Sequence, residues 1–333
     1  MLFNNSQYGD VGGQRALADE LTVVANVRVE HPTWLEARDE IIDLHSLRTA
    51  RQEGSGVLIT GESGAGKTAL LRSIEAMFPR STTPDRTLIR CLFVTIPPRP
   101  TIKSAAQSVL HAQGDPLAFV KGQSVVELTE RIIALLKGCG TELILLDEVA
   151  HIIAGRRNDS LYSVADWLKH LADASHAPLV LAGLPKAEEI VQGNEQLRRR
   201  FSASVMLEVA RLDESLPDLT TFRAVVREIE QHLPIPSAMP LHSKDIARRL
   251  LYATEGRIGY IMMVIERAIR ICRRSAQNSI DADVLASAFQ RAVWKGAIGA
   301  KNPFHKDFSW KRLIRCGEPF APPLINVQRR GRR

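Results

Sequence analysis

Eight consecutive residues, Gly61-Glu62-Ser63-Gly64-Ala65-Gly66-Lys67-Thr68, place glycines, a lysine and a hydroxyl at the spacing G-x-x-x-x-G-K-T. Glycines let successive backbone N–H groups turn inward around an anion, and the start of a helix favours the same charge. A lysine at that point of the loop would reach the β- and γ-phosphates of a nucleotide, and the threonine hydroxyl would be a ligand of Mg²⁺. A Gly/Ser-rich loop can match such a pattern by chance, so the flanks decide. Val57-Leu58-Ile59-Thr60 reads as a strand and Ala69-Leu70-Leu71-Arg72-Ser73-Ile74 as a helix, the setting a phosphate loop requires. Residues Gly61 to Ala69 are therefore expected to hold ATP or GTP with Mg²⁺.

A second group with chemistry is Asp147-Glu148, which ends the apolar run Leu143-Ile144-Leu145-Leu146. Four aliphatics in a row predict a strand buried on both faces of a parallel sheet, and ligand groups gather at the carboxyl ends of such strands. Asp147 is expected to hold Mg²⁺ through water, and Glu148 to orient or deprotonate the water that attacks the γ-phosphate. Two acids can merely cap a strand, but with the phosphate loop upstream the pair argues for hydrolysis over small-molecule phosphorylation. The third group is Arg198-Arg199-Arg200 before Phe201. It is either a surface run or, in an oligomeric ATPase, the source of a cation that reaches the neighbour's γ-phosphate.

The elements that must position these groups follow from periodicity. Strands are expected over Leu88–Ile96, Leu179–Gly183 and Ser204–Leu207, besides the two already named. Helices are expected over Trp34–Arg51, opened by Thr33, then from Thr101 to about Gln113, over Ser124–Leu136 and over Asp159–Ala174. From Pro217 the pattern is purely helical: Leu219, Phe222, Val226, Ile229 and Leu233 step by three and four, and further helices follow around Ile246, Ile261 and Leu285, the last opened by Asp281. The fold class is α/β, a central parallel sheet flanked by helices and followed by a small all-helical lid. The expected organisation is an N-terminal arm over 1–30, the nucleotide-binding α/β domain over 31–215, the lid over 216–295 and a basic C-terminal tail over 296–333.

Charge is unevenly spread. From Arg291 to Arg333 eleven Lys or Arg stand against Asp307 and Glu318, a balance of +9, so the preceding 290 residues carry −2 of the formal +7. A tail of this kind is expected either to meet nucleic acid or an acidic protein, or to be solvated without a partner. No apolar run approaches the length of a membrane span, and the N-terminus lacks the layout of a signal peptide. Cys91, Cys139, Cys272 and Cys316 lie far apart, with neither zinc-knuckle nor disulfide spacing, which fits a reduced cytosol.

Taken together, the phosphate loop, the Asp-Glu strand, the strand 179–183, the arginines before Phe201 and the helical lid resemble an AAA+ ATPase. Over about residues 31–305 the chain more closely resembles the TniB/TnsC transposition regulators, related in role to the MuB target-capture ATPase. The resemblance rests on Gly61–Thr68, Leu146-Asp147-Glu148-Val149-Ala150-His151 with Gly155, and Trp167-Leu168-Lys169-His170-Leu171. It also rests on Leu181-Ala182-Gly183, Gln196-Leu197-Arg198-Arg199-Arg200-Phe201 and Asn302-Pro303-Phe304.

The resemblance implies a bacterial, cytoplasmic regulator that uses ATP and Mg²⁺ to assemble as a ring or filament on double-stranded DNA, without base-specific reading. It also implies a link between a TniQ-type target selector and the transposase. Residue by residue, Lys67, Thr68, Asp147 and Glu148 carry the phosphate and metal roles, Arg200 best matches the arginine finger with Arg199 in reserve, and Arg257 is the candidate second sensor. Two departures, Leu184 at the first-sensor position and the displaced arginine in Gly256-Arg257-Ile258-Gly259, imply slow hydrolysis. Arg99, Lys103 and Lys121 are the candidate DNA contacts, through phosphates alone. Two other functions compete, a helicase loader, replication initiator or remodeller, and a signalling switch that binds nucleotide without oligomeric hydrolysis.

Overall fold

The computed structural model describes residues 11–25, 27–49, 55–98, 100–153, 158–210, 212 and 219–322. Arg99, Gly155 and the last arginines of the tail, Arg329 to Arg333, lie outside them. The chain divides into two compact units, one of Glu30–Glu208 and one of Met1–Val29 with Val209–Arg333.

The first unit is built on five parallel strands: β1 (Gly56–Thr60), β4 (Cys91–Thr95), β5 (Leu143–Asp147), β6 (Leu179–Gly183) and β7 (Phe201–Met206), in the order β4-β5-β6-β1-β7. Between β1 and β4 a short antiparallel hairpin, β2 (Ser81–Thr82) with β3 (Thr87–Leu88), stands apart. The strand expected over Leu88–Ile96 is thus broken: Leu88 belongs to the hairpin, and the sheet strand begins at Cys91. Parallel neighbours need crossovers, which run through helices and bury both faces of the sheet. On β5 the alternation is complete. Ile144 and Leu146 enter one core with Leu128, Ile132, Leu168 and Leu171. Leu143 and Leu145 enter the other with Ile41, Leu70, Leu71 and Ile74. All four are fully buried, at roughly 1.5–3 kcal/mol each for removal from water.

The helices of this unit are α2 (Pro32–Ser46), α3 (Lys67–Ala76), α4 (Ile102–Gln113), α5 (Val125–Gly138), α6 (Ala150–Ile153), α7 (Asn158–Ser175), α8 (Glu188–Gln192) and α9 (Glu195–Arg200). Capping explains several starts. Thr101 and Ser124 each form a capping box three residues ahead, with Ser104 and with Glu127. Asn194 accepts from the backbone N–H groups of Gln196 and Leu197 and so opens α9. The expectation for Thr33 is corrected: the N-cap of α2 is His31, without a side-chain cap. Pro32 already supplies the N1 preference, and the Thr33 hydroxyl instead donates to the Glu208 carbonyl at 3.0 Å while accepting from its N–H at 3.1 Å.

The second unit is helical, with α1 (Val11–Ala25), α10 (Thr220–Gln231), α11 (Lys244–Thr254), α12 (Ile258–Ser275) and α13 (Ala282–Ala292). Phe222, Leu250, Ile261, Ile265, Leu285 and Phe289 make its core. Asp281 caps α13 through the Val284 N–H at 2.8 Å. Residues 11–25, read from sequence as part of an arm, form α1, whose Glu20 pairs with Arg273 of α12 at 2.6 Å. The described part of the tail is likewise packed: Phe304, Phe308, Leu313 and Phe320 are buried in the same core. Aromatics every few residues turn a basic segment into one that folds back on apolar neighbours.

Candidate functional site

The site lies at the carboxyl ends of β1, β5 and β6: the register pairs Thr60 with Gly183 and Leu146 with Leu181, which brings Asp147 beside the end of β6. The chain leaves β1 through the glycine-rich loop and enters α3 at Lys67. Gly66, the N-cap, has φ +96°. A Cβ there would meet nothing within 4 Å, so glycine is needed for the backbone conformation and not for space. The Lys67 side chain is buried and donates to the carbonyls of Gly61 and Glu62 at 2.8 and 3.0 Å. The lysine is thereby held over the loop that its own glycines shape.

Thr68 Oγ1 donates to Asp147 Oδ2 at 2.6 Å. That one contact, across 79 positions of sequence, joins the first two groups of the sequence analysis. The other oxygen of Asp147, a residue only 1% exposed, accepts the Glu148 N–H at 2.9 Å. A hydroxyl and a carboxylate oxygen side by side are hard ligands of the kind Mg²⁺ takes, one or two from protein with the rest from phosphate and water. The residues present fit that ion. Among the described residues no cluster of three or more His, Cys, Asp or Glu could hold a metal by itself.

Glu148 has φ +59°, a left-handed conformation rare outside glycine and of the sort found at functional sites. The bend turns the chain from β5 into α6, and it is fixed by Val149 N–H donating to the Ala182 carbonyl at 3.0 Å. The Glu148 side chain stays about a third exposed, with His151 Nε2 3.8 Å away. His151 Nδ1 lies 3.3 Å from the Ile96 carbonyl oxygen. The imidazole therefore lies between the end of β4 and the second carboxylate, within hydrogen-bond distance of the Ile96 carbonyl. Two more polar groups escaped the sequence analysis. The Thr60 hydroxyl is fully buried with no partner among the described residues, and so is Nε2 of His31. Burial lowers the His31 pKa to about 4, which keeps its ring neutral at ordinary pH.

The three arginines separate. Arg200 turns inward: its Nη2 donates to Asp173 Oδ2 at 3.0 Å and its Nε lies 3.0 Å from Oδ1, with the side chain only 13% exposed. Arg199 is 78% exposed and pairs with Glu195 at 2.6 Å. Arg198 lines a cavity of about 200 Å³ with Glu188, Gln192 and Ser204 over Leu58 and Phe201. Trp167 Nε1 donates to Thr129 at 3.1 Å, which ties α7 to α5. Two and six residues on, Lys169 and Asp173 hold Gln196 and Arg200 of α9. The Trp-Leu-Lys-His-Leu segment is thus a splint for the arginine helix. Leu184, 36% exposed after β6, offers no side-chain hydrogen bond. Lys103 sits half-buried on α4 and Lys121 exposed in the turn before α5. Arg257, the N-cap of α12, belongs to the helical unit.

A family model described as "Bacterial TniB protein" matches residues 22–210. Comparison with curated proteins finds no match. Among solved structures, the chain is similar to Cdc6p from Pyrobaculum aerophilum, at 14% identity and a TM-score of 0.59 over 81% of this chain and 70% of that one. It is also similar to the Aeropyrum pernix ORC1 protein in complex with DNA, at 19% identity and a TM-score of 0.57 over 81% and 69%. The Aeropyrum pernix ORC2 protein, described as ADPNP-ADP complexes, gives 12% identity and a TM-score of 0.55 over 80% and 68%. At these identities the likeness establishes the fold, which is that of the AAA+ ATPases.

Proposed function

The chain belongs to the bacterial TniB family and is built as an AAA+ ATPase, and from that premise we propose an ATP-gated regulator of transposition. It assembles on duplex DNA in its nucleotide-bound form and links a TniQ-type target selector to the transposase. The observation that carries the reading is the 2.6 Å contact between Thr68 and Asp147. It brings a triphosphate loop and a carboxylate strand end into one place, where binding and hydrolysis share their ligands.

In this reading Lys67 meets the β- and γ-phosphates and the loop N–H groups from Gly61 to Ala69 cradle them. Thr68 and Asp147 would hold Mg²⁺, which when bound neutralises phosphate charge. Glu148 orients or deprotonates the attacking water, and His151 keeps that carboxylate from swinging away. Arg199 and Arg200 supply the cation that reaches a neighbouring copy. The exposure of Arg199 favours it for that reach, whereas Arg200 would first have to leave Asp173. Arg257 of the helical unit senses the triphosphate. Arg99, Lys103 and Lys121 contact DNA phosphates, so binding is salt-sensitive and largely indifferent to sequence. That the similar ORC1 structure is a complex with DNA supports a nucleic-acid partner for this fold.

The experiment is electron microscopy of the full chain with a non-hydrolysable ATP analogue and duplex DNA, beside the Glu148→Gln variant with ATP. Rings or filaments that need both cofactor and DNA are expected. Solitary particles under all these conditions would overturn the proposal.

A further inference from the structure

The loop between α4 and α5 has no part in the site chemistry above, yet it displays apolar side chains to water. Leu117, Phe119 and Val120 are 51, 62 and 46% exposed, and no other four consecutive positions among the described residues hold more than one large exposed hydrophobic. Such residues need no explanation singly, but three on one loop mark a surface that meets something. The loop is held in shape. Gly114 and Gly122 bound it, both left-handed at φ +85° and +90°. Asp115 Oδ1 accepts the Leu117 N–H at 2.9 Å and a donor of Arg131 on α5 at 2.5 Å. The Ala118 and Val120 N–H groups donate to the carbonyls of Asp115 and Leu117, each at 3.2 Å. Ala118 is buried in the core with Leu110 and Leu128, and the Phe119 ring leans on His111 of α4 with centroids 5.4 Å apart. A partner therefore meets these side chains without the entropy cost of ordering their backbone.

Charge says what covers the loop. From Thr101 to Gln123 the sole acidic residue is Asp115, and its buried side chain is spent on Arg131. Lys121, just after the apolar group, is exposed and has no ion pair among the described residues. The face presented is apolar and cationic, with no free carboxylate of its own. Three side chains are few for a protein interface, which takes roughly 20–30 residues a side. A DNA groove asks for less. The minor groove is about 6 Å wide, and proteins that enter it wedge Phe or Leu between base steps while cations hold the phosphates nearby.

From this we propose that the Leu117–Val120 turn is a DNA wedge: Phe119 enters the minor groove and unstacks a base step, and Lys121 holds a phosphate beside it. Site preference then follows from how readily the duplex deforms. Pyrimidine–purine steps such as TA are favoured without a hydrogen bond to any base. The inference rests on the reading that Lys121 faces DNA.

The test uses the full chain with a non-hydrolysable ATP analogue and duplexes that carry the fluorescent base 2-aminopurine at a central TA step. The parent is compared with Phe119→Ala, Phe119→Leu and Lys121→Ala; both positions are exposed, and melting curves check that the fold is kept. At saturation the parent and Phe119→Leu are expected to raise the fluorescence, as unstacking does. Phe119→Ala should leave it at the level of free duplex, bind about 10-fold more weakly, and no longer prefer the TA duplex to an A-tract of equal length. Its salt dependence should match the parent's, because no phosphate contact is lost. Lys121→Ala should lower that slope by about one and still raise the fluorescence. Bases that stay stacked under saturating parent protein would overturn the wedge, and so would parent-like affinity and fluorescence in Phe119→Ala. Weaker assembly of Phe119→Ala with the parent's fluorescence would overturn it too, and would give the apolar group to a neighbouring protein chain. An unchanged slope in Lys121→Ala would instead remove the reading that Lys121 faces DNA.

Discussion

The α/β unit and the helical unit use charge in opposite ways. Residues 30–208 hold 20 Lys/Arg against 22 Asp/Glu, and most of the described cations there are spent internally. Arg200 meets Asp173, Arg131 meets Asp115, and Arg48, Arg90 and His45 converge on Glu142. Residues 219–322 hold 17 Lys/Arg against nine Asp/Glu, and Arg270, Arg274, Lys295 and Lys301 stand exposed with no ion pair among the described residues. Chemistry on a triphosphate needs donors held in one geometry, and balanced pairing holds them. A surface that meets a polyanion needs only an excess of cations, which ordered pairing would cancel.

The largest expected effect tests the first half of that contrast. Lys67→Ala should abolish ATP binding by titration calorimetry, while Arg270→Glu with Arg274→Glu should leave it unchanged; a loss in the second variant would mean that the helical unit also shapes the phosphate site. Next, alanine at the arginine finger should cut hydrolysis in the assembled state by about 10³-fold, with nucleotide binding by the monomer retained. Arg199→Ala and Arg200→Ala compared side by side identify the finger, and equal full activity in both would exclude it from this helix. Glu148→Gln should lower turnover by about 10²-fold and keep assemblies intact; turnover at the normal rate would remove its role.

Acid separates the units more gently. The folded His31 pKa is lowered to about 4 by burial, so the unfolded chain binds the extra proton first and stability falls as pH drops from about 6.5 toward 4. Hydrogen bonding to Arg90, then to His45, lowers Glu142 to about 2, so its contribution is present above about 4.5 and lost on further acidification. Glu230 of the helical unit is also lowered, against its desolvation, by Ser237 and His242, so its contribution too is lost on acidification below the ordinary carboxylate range. Melting of His31→Asn between pH 7 and 5 should show a flatter slope than the parent, and an unchanged slope would discard His31 as the cause. The smallest effect is on DNA. Lys103→Ala and Lys121→Ala should each reduce the salt dependence of affinity by about one unit of slope. A larger change from Arg270→Glu with Arg274→Glu would move the contact to the helical unit.

Much of the α/β unit was legible in the chain, because its signals are local. A run such as Leu143–Leu146 can be buried on both faces only in a covered parallel strand, and a glycine loop between strand and helix has few other uses. The capping boxes at Thr101 and Ser124 and the Asp281 cap are likewise short-range chemistry. The break at Leu88 was not legible, since an apolar residue fits a hairpin and a sheet equally well until its partners are known. The helix over 11–25 and the packing of the described tail were not legible for a similar reason: their mean composition resembles that of a solvated arm, and only contacts with α11 and α12 give them a core to join.

The amino-acid sequence alone singled out the loop Gly61–Thr68 and the strand end Asp147-Glu148 that the fold brings together, because a glycine-rich strand-to-helix loop and an acid pair closing a buried strand are both local signals. Tertiary structure alone decided that Arg200 turns to Asp173 while Arg199 faces outward, that Trp167 ties to Thr129, and that Thr33 answers Glu208. Those are pairings between residues tens to hundreds of positions apart, and no local rule contains them. They depend on where separate helices come to rest once each has buried its apolar face.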